Sequence, residues 1–305
     1  MNLKSLHLQH QEIHLEKLER YGIRLVIKRE DLIHPFVSGN KYRKLKYNLV
    51  ELQEKGYAKL LTFGGAYSNH IAATAYAAKE QGVKAIGVIR GEELKAKAGE
   101  NPTLNFARKQ GMELHFVSRE IYRTKTQPMF LESLYRRFGD FYLLPEGGTN
   151  ALAVKGCEEI LVEKDSAFDY ICCAVGTGGT ISGLINASTV HQKVLGFPAL
   201  KGSFLKNEIC NFVSGKNWEL IEDYHFGGYA KISASLVNFI NVFKEQTAIP
   251  LDPVYTGKMI YGILDLAEKG YFSRGSSILA IHTGGLQGIP GMNQILKRKQ
   301  LPLIQ

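Results

Sequence analysis

Five consecutive residues, Gly176-Thr177-Gly178-Gly179-Thr180, have the types and spacing of a cradle for a phosphate group. They follow the apolar run 170–175, which has the length and character of a buried parallel strand. They open onto a predicted helix over 180–186. Glycines let backbone N–H groups turn inward, and a helix N-terminus adds positive potential, so a dianionic phosphate suits the loop. A phosphate loop of the Walker type needs a lysine that is absent here, and Ile181 stands where a dinucleotide loop has its third glycine. The loop therefore suits a small phosphorylated cofactor, although a plain tight strand-to-helix turn would use the same glycines.

The second group with chemical potential is Val37-Ser38-Gly39-Asn40-Lys41-Tyr42-Arg43-Lys44. An amine desolvated beside other cations has a lowered pKa and becomes nucleophilic near neutrality, the requirement for a Schiff-base lysine. Lys41 is the candidate, with Arg43 and Lys44 as the neighbouring cations and Lys44 also able to reach a phosphate. The alternative is a solvated basic run at a helix start. The third group, Tyr67-Ser68-Asn69-His70, lies where a strand gives way to a helix. Ser68 and Asn69 suit ordinary helix capping. The same N-terminus could instead bind a substrate carboxylate, with the Ser68 hydroxyl beside the reacting carbon and the Asn69 amide on a phenolic oxygen of a cofactor.

These groups need a scaffold, and apolar runs alternating with amphipathic segments argue for βαβ units and mainly parallel sheets. Strands are predicted over 59–63, 83–89, 113–117, 170–175, 194–197 and 277–282, and a second set of elements is expected to begin near 142–145. A helix is predicted over 70–80, and another starts at Asn101-Pro102, a polar cap followed by proline. Gly64-Gly65, Gly176 to Gly179, and Gly284-Gly285 each mark a strand end, and ligands gather at the carboxyl ends of such strands. One cleft lined by all three is the economical reading. At 305 residues and 45% hydrophobic content, two lobes fit better than one core. No apolar run is long enough to cross a membrane and the first residues lack a signal-peptide pattern, so a cytoplasmic protein is expected. Cys157, Cys172, Cys173 and Cys210 have no zinc spacing and suit a reducing compartment. The net charge of +9 is spread along the chain without a nucleic-acid motif, which favours anionic small molecules as partners. His7, His10 and His14 could share one helical face, but no further ligand sits at convincing spacing, so no metal site is assigned.

Taken in order, Lys28-Arg29-Glu30-Asp31-Leu32, Gly39 to Lys44, Gly65 to His70, Pro145-Glu146-Gly147-Gly148, Gly176 to Thr180, Asp252 to Lys258 and His282-Thr283-Gly284-Gly285 span most of the chain. Together they resemble the 1-aminocyclopropane-1-carboxylate deaminase and D-cysteine desulfhydrase family of pyridoxal-phosphate enzymes. The resemblance implies a two-domain α/β fold of the tryptophan synthase β-like kind (fold type II), with parallel-rich twisted sheets carrying helices on both faces. It implies a large cofactor-binding domain over 1–44 and 146–305, a small α/β domain over 45–145, and a homodimer.

By the same resemblance, Lys41 holds pyridoxal phosphate covalently and moves protons, and Lys44 with Gly176, Thr177, Gly178, Gly179 and Thr180 holds the phosphate. Asn69 meets the phenolic oxygen, and Thr283 faces the pyridine nitrogen. Ser68, Asn69, His70 and Thr256 belong to the substrate site. Ser68, Tyr229 and Tyr255 are catalytic, Tyr255 also touching the cofactor. Where the deaminase has glutamate and leucine, this chain has Thr256 and Thr283. That pattern resembles D-cysteine desulfhydrases and implies β-elimination from a small D-amino acid, D-cysteine first. The alternatives are the cyclopropane deaminase, a β-eliminase or racemase for another small amino acid such as D-serine, and a cofactor-carrying binding protein without turnover.

Overall fold

The chain folds around two sheets in a computed structural model that describes residues 9–37, 39–202 and 204–305. His7 and Ser38 lie outside the described residues. The smaller sheet is built from β3 (Lys59–Gly64), β4 (Lys84–Arg90), β5 (Glu113–Val117) and β6 (Tyr142–Leu144), in the order β5-β4-β3-β6 and parallel throughout. The larger one contains β1 (His10–Ile13), β2 (Arg24–Lys28), β7 (Tyr170–Val175), β8 (Lys193–Pro198), β9 (Trp218–Leu220) and β10 (Ser277–Ile281). Its order is β1-β2-β10-β7-β8-β9, with β1 alone antiparallel.

Parallel strands covered by helices on both faces read as unbroken apolar runs, and β7, Tyr-Ile-Cys-Cys-Ala-Val, is such a run, buried from Ile171 onward. Its adjacent cysteines alternate across the sheet. Cys172 packs with Leu25, Leu195 and Ile263 on one face, and Cys173 packs with Ile181, Leu184 and Ile281 on the other. Both thiols serve as small core side chains.

Six of the ten strands coincide, within a residue or so at each end, with those expected from apolar runs, and β6 falls where the second set of elements is expected to begin. β1, β2 and β9 are the additions. They are three to five residues long and carry charged residues, so pairing with a neighbour rather than their own pattern makes them strands. This corrects the reading of His10 as part of a helical histidine face. It lies in a strand, and its Nε2 sits 2.7 Å from Asp165. Among the described residues no group of three or more metal-ligating side chains converges, and no helix is long and apolar enough to cross a membrane.

The Lys28–Asp31 motif ties β2 to the rest of the large sheet's carboxyl edge. Lys28 is ion-paired with Asp165, Arg29 grips Asp31 through two bonds of 2.9 and 2.8 Å, and buried Glu30 accepts two bonds from Arg43 at 2.9 and 3.0 Å. Its work is structural. It fixes the start of the helix Asn40–Glu54, whose first turn carries Lys41.

Candidate active site

Three strand ends and the starts of the helices Asn40–Glu54, Asn69–Glu80 and Gly179–Ala187 meet around one cavity of about 380 Å³, within the ~300–1,000 Å³ usual for small-molecule sites. The ends of β3, β7 and β10 bring Gly65, Gly176 and Thr283-Gly284-Gly285 to its wall. Lys41, Lys44, Ser68, Asn69, His70, Gly176, Thr177, Gly178, Thr180, Tyr229, Tyr255 and Thr283 all line it. Two expected residues do not. Gly179 lies just behind the wall, where an added side chain would meet Lys44. Thr256 is fully buried, and its hydroxyl accepts a 2.9 Å bond from the Asp252 amide, so it shapes a turn rather than the cavity.

Lys41 is placed by its neighbours on both sides. Gly39 has φ +59°, and a Cβ there would lie 1.9 Å from the Thr283 carbonyl oxygen, so only glycine lets the helix start dock on the end of β10. Asn40 then donates to Thr180 Oγ1 at 2.8 Å, tying the lysine's turn to the glycine loop. Gly39→Ala should therefore lower the melting temperature by several degrees, a loss of ~1–3 kcal/mol, and weaken cofactor retention; thermal denaturation with and without pyridoxal phosphate reads both.

The Lys41 amine makes no hydrogen bond or ion pair among the described residues. Burial first, and the Lys44 charge second, lower its pKa to about 7. Arg43 was expected to help, but its charge is spent on Glu30. Lys44 is 2% exposed and meets only neutral groups: it donates to Thr149 Oγ1 at 2.9 Å and the Gly147 carbonyl at 3.2 Å, with Thr177 Oγ1 at 3.4 Å. A buried ammonium without a carboxylate is costly unless an anion joins it.

The helix Gly179–Ala187 begins beside Lys44, with Gly178 at φ +84° as its cap. The amides of its first turn have no partner within the helix. Lys44 and those amides together form a dianion site. Asn69 and Thr283, both on the cavity wall, also have side chains without a hydrogen-bond partner among the described residues. A group with a phosphate, an aldehyde and polar ring atoms would satisfy all of these, so the residues present fit pyridoxal phosphate.

Around this centre the remaining side chains are spoken for. Ser68 caps the helix Asn69–Glu80, accepting from the Ile71 amide at 3.3 Å. His70 is buried, with Nε2 2.8 Å from Thr62 Oγ1. Thr62 gives its own proton to the Leu144 carbonyl, so His70 donates through Nε2. Burial, then the charges of Lys41 and Lys44, hold its pKa well below 6.5. Tyr255 lies over Gly176, where an added Cβ would come 3.2 Å from its ring. Tyr229 crosses it edge-on, ring centres 6.2 Å apart, and covers part of the mouth while remaining 39% exposed. Burial raises the pKa of Tyr255 well above 10, so it stays a hydroxyl donor.

Asp252 accepts from the amides of Tyr255 and Thr256 at 2.6 and 3.0 Å, and burial pushes its carboxyl up to about 6. Arg90 and Glu146 also line the cavity and were not anticipated. Glu146 accepts from Tyr122 at 2.7 Å and pairs with Lys125 at 3.3 Å, while the Arg90 guanidinium stands 5.7 Å from the same Tyr122 ring. Arg90 ends β4 and Gly91 follows it at φ +110°, a strand end marked by glycine like the other three, so the sequence carried a signal for this position.

A model of the family described as pyridoxal-phosphate dependent enzyme matches residues 8–284. The chain belongs to that family. Within it, the chain falls with the 1-aminocyclopropane-1-carboxylate deaminases and D-cysteine desulfhydrases. It is 35% identical over 290 residues to a Pyrococcus horikoshii protein named "Putative 1-aminocyclopropane-1-carboxylate deaminase", covering 88% of this chain and 86% of that one. It is 31% identical over 297 residues to the mitochondrial bifunctional D-cysteine desulfhydrase/1-aminocyclopropane-1-carboxylate deaminase of Arabidopsis thaliana, covering 88% and 74%. A crystal structure of an ACC deaminase homologue superposes with a TM-score of 0.84 at 31% identity, covering 97% of this chain and 95% of that one. The protein is thus a pyridoxal-phosphate-dependent lyase of this family, with a small-molecule substrate and the two-domain α/β fold expected of it.

Proposed function

We propose that this enzyme cleaves D-cysteine by β-elimination, taking up one water and giving pyruvate, hydrogen sulfide and ammonia. The observation that carries the reading is Thr283 on the cavity wall, a neutral hydroxyl without a partner among the described residues, where the deaminase pattern has leucine. Bound pyridoxal phosphate supplies the electron sink for the substrate α-carbon. Lys41 holds it covalently, Lys44 and the amides of 178–181 hold its phosphate, Asn69 meets its phenolic oxygen, and Thr283 faces its ring nitrogen without a fixed negative charge.

The chain's own groups divide the remaining work. The amides at the start of the Asn69–Glu80 helix and the Ser68 hydroxyl bind the substrate carboxylate. Once the substrate amine has displaced it, the free Lys41 amine, near neutrality in its basicity, takes the proton from the α-carbon and holds it at Nζ; positioned acid–base catalysis is worth ~10²–10⁴-fold. His70 is too weak a base for that step and Tyr255 too reluctant to ionise. Tyr229 and Tyr255 stand at the mouth as hydroxyl donors toward the leaving thiolate and exclude water.

A second reading, ring opening of 1-aminocyclopropane-1-carboxylate, is favoured by the deaminase names of relatives at 33–35% identity. Product analysis separates the two. The first predicts sulfide and pyruvate from D-cysteine, faster than from L-cysteine, and little 2-oxobutyrate from the cyclopropane acid. 2-Oxobutyrate as the faster product would replace it with the second.

A further inference from the structure

Six residues, His225-Phe226-Gly227-Gly228-Tyr229-Ala230, carry Tyr229 to the cavity in a backbone shape that such residues resist. Phe226, Gly227, Gly228 and Ala230 have φ of +53°, +89°, +116° and +54°. For the two glycines this is ordinary, but for Phe226 and Ala230 it is strained, and such strain persists only where surrounding contacts impose it. Within the loop the contacts are few. The Gly227 amide donates to His225 Nδ1 at 2.9 Å, and the Gly228 amide to the His225 carbonyl at 3.0 Å. The Phe226 ring rests edge-on against Tyr261, 5.0 Å between centres.

The strongest hold comes from outside. Lys258 lies in the helix Thr256–Glu268, one turn after Tyr255, and is 2% exposed. Its Nζ donates to the His225 carbonyl at 2.8 Å and the Gly228 carbonyl at 3.0 Å, and among the described residues no carboxylate forms an ion pair with it. Burying an ammonium against neutral carbonyls is a poor way to stabilise a core, where an apolar side chain of equal length would serve better. The arrangement makes sense if the loop's shape is what matters.

We infer that Lys258 is a positioning residue: by clamping the carbonyls of His225 and Gly228 it sets the strained loop so that Tyr229 crosses Tyr255 at the cavity mouth. Asp252 caps the turn that carries Tyr255, and Lys258 fixes the loop that carries Tyr229. The two charged residues of the 252–258 motif thereby align the two tyrosines, and Lys258 does so from outside the cavity wall. The inference rests on the reading of Tyr229 as a residue that acts on substrate.

The test is a double-mutant cycle in the holoenzyme with Lys258→Met, Tyr229→Phe and the pair, alongside Lys258→Gln. The methionine keeps the volume and loses the donors, whereas glutamine keeps two N–H groups. Lys258→Met should lower kcat by roughly 10–100-fold with the cofactor's absorbance retained, as a displaced functional group does. The double variant should be no slower than Tyr229→Phe alone, and Lys258→Gln should recover much of the rate. If Lys258→Met does not fold, the Gln variant takes its place in the cycle, with a smaller loss and the same non-additivity. Losses that multiply, or a Lys258→Met enzyme of normal kcat beside a slow Tyr229→Phe, overturn the inference alone. A Tyr229→Phe enzyme of normal kcat removes the reading beneath it, and the inference with it.

Discussion

Replacing Lys41 by alanine is expected to reduce turnover by at least ~10³-fold while leaving the fold intact. Two losses combine. The proton at the substrate α-carbon loses its acceptor, a contribution of ~10²–10⁴-fold by itself. The cofactor also loses its covalent hold and keeps only the phosphate and ring contacts. Folding should not suffer, because the amine has no hydrogen bond to lose among the described residues and alanine removes a poorly solvated charge. Steady-state kinetics with saturating pyridoxal phosphate, read beside the melting temperature, give the result. A Lys41→Ala enzyme within a few-fold of the parent would remove the lysine from the reaction.

The pH dependence of cofactor loading should show an effect of similar size. An amine attacks an aldehyde only when neutral. With its pKa lowered to about 7, Lys41 is about half neutral at pH 7 and almost wholly so by pH 8. An ordinary lysine near 10.4 would be neutral at pH 7 in roughly one molecule in two thousand, a difference of about three orders of magnitude. The sign follows directly. Below pH 7 the loading rate should fall about tenfold per unit as the amine takes up its proton, and above it the rate should level off. An unperturbed lysine would instead keep gaining through pH 9. Stopped-flow mixing of apoprotein with pyridoxal phosphate, followed by the visible absorbance of the bound form, measures this. Lys44→Met supplies the internal control: it removes the second cause of the shift but not burial, so the plateau should move to higher pH.

Much of this site could be read before the fold was known, for a physical reason. The glycine loop, the Lys41 turn and the Ser68 cap are each encoded by local constraints: backbone conformation, helix start and strand end. Those constraints survive in the chain as short motifs. What escaped depends on partners far apart in sequence. Arg43 was credited with lowering the Lys41 pKa, but the charge that claims it, Glu30, is fixed only when β2 docks beside β10. Thr256 reads as a substrate residue beside Tyr255, yet the turn capped by Asp252 rotates its hydroxyl inward.

Arg90 enters the cavity because β4 pairs with β3 in a register that sets Ile89 beside Gly64. No local pattern reports that pairing. The same holds for β1 and β9, whose few residues become strands through the edges they join. Lys258 belongs to a motif that was noticed, but its two carbonyl partners lie thirty or more residues upstream.

The central claim is that the amine at position 41 is the one that binds the cofactor, in the cavity where Lys44 and the 176–180 loop await its phosphate. Borohydride reduction of the holoenzyme, digestion and mass spectrometry test it most directly. The pyridoxyl group should be found on the peptide containing Lys41, at close to one per chain. Its recovery on Lys44, Lys258 or any other lysine, with Lys41 unmodified, would contradict the account.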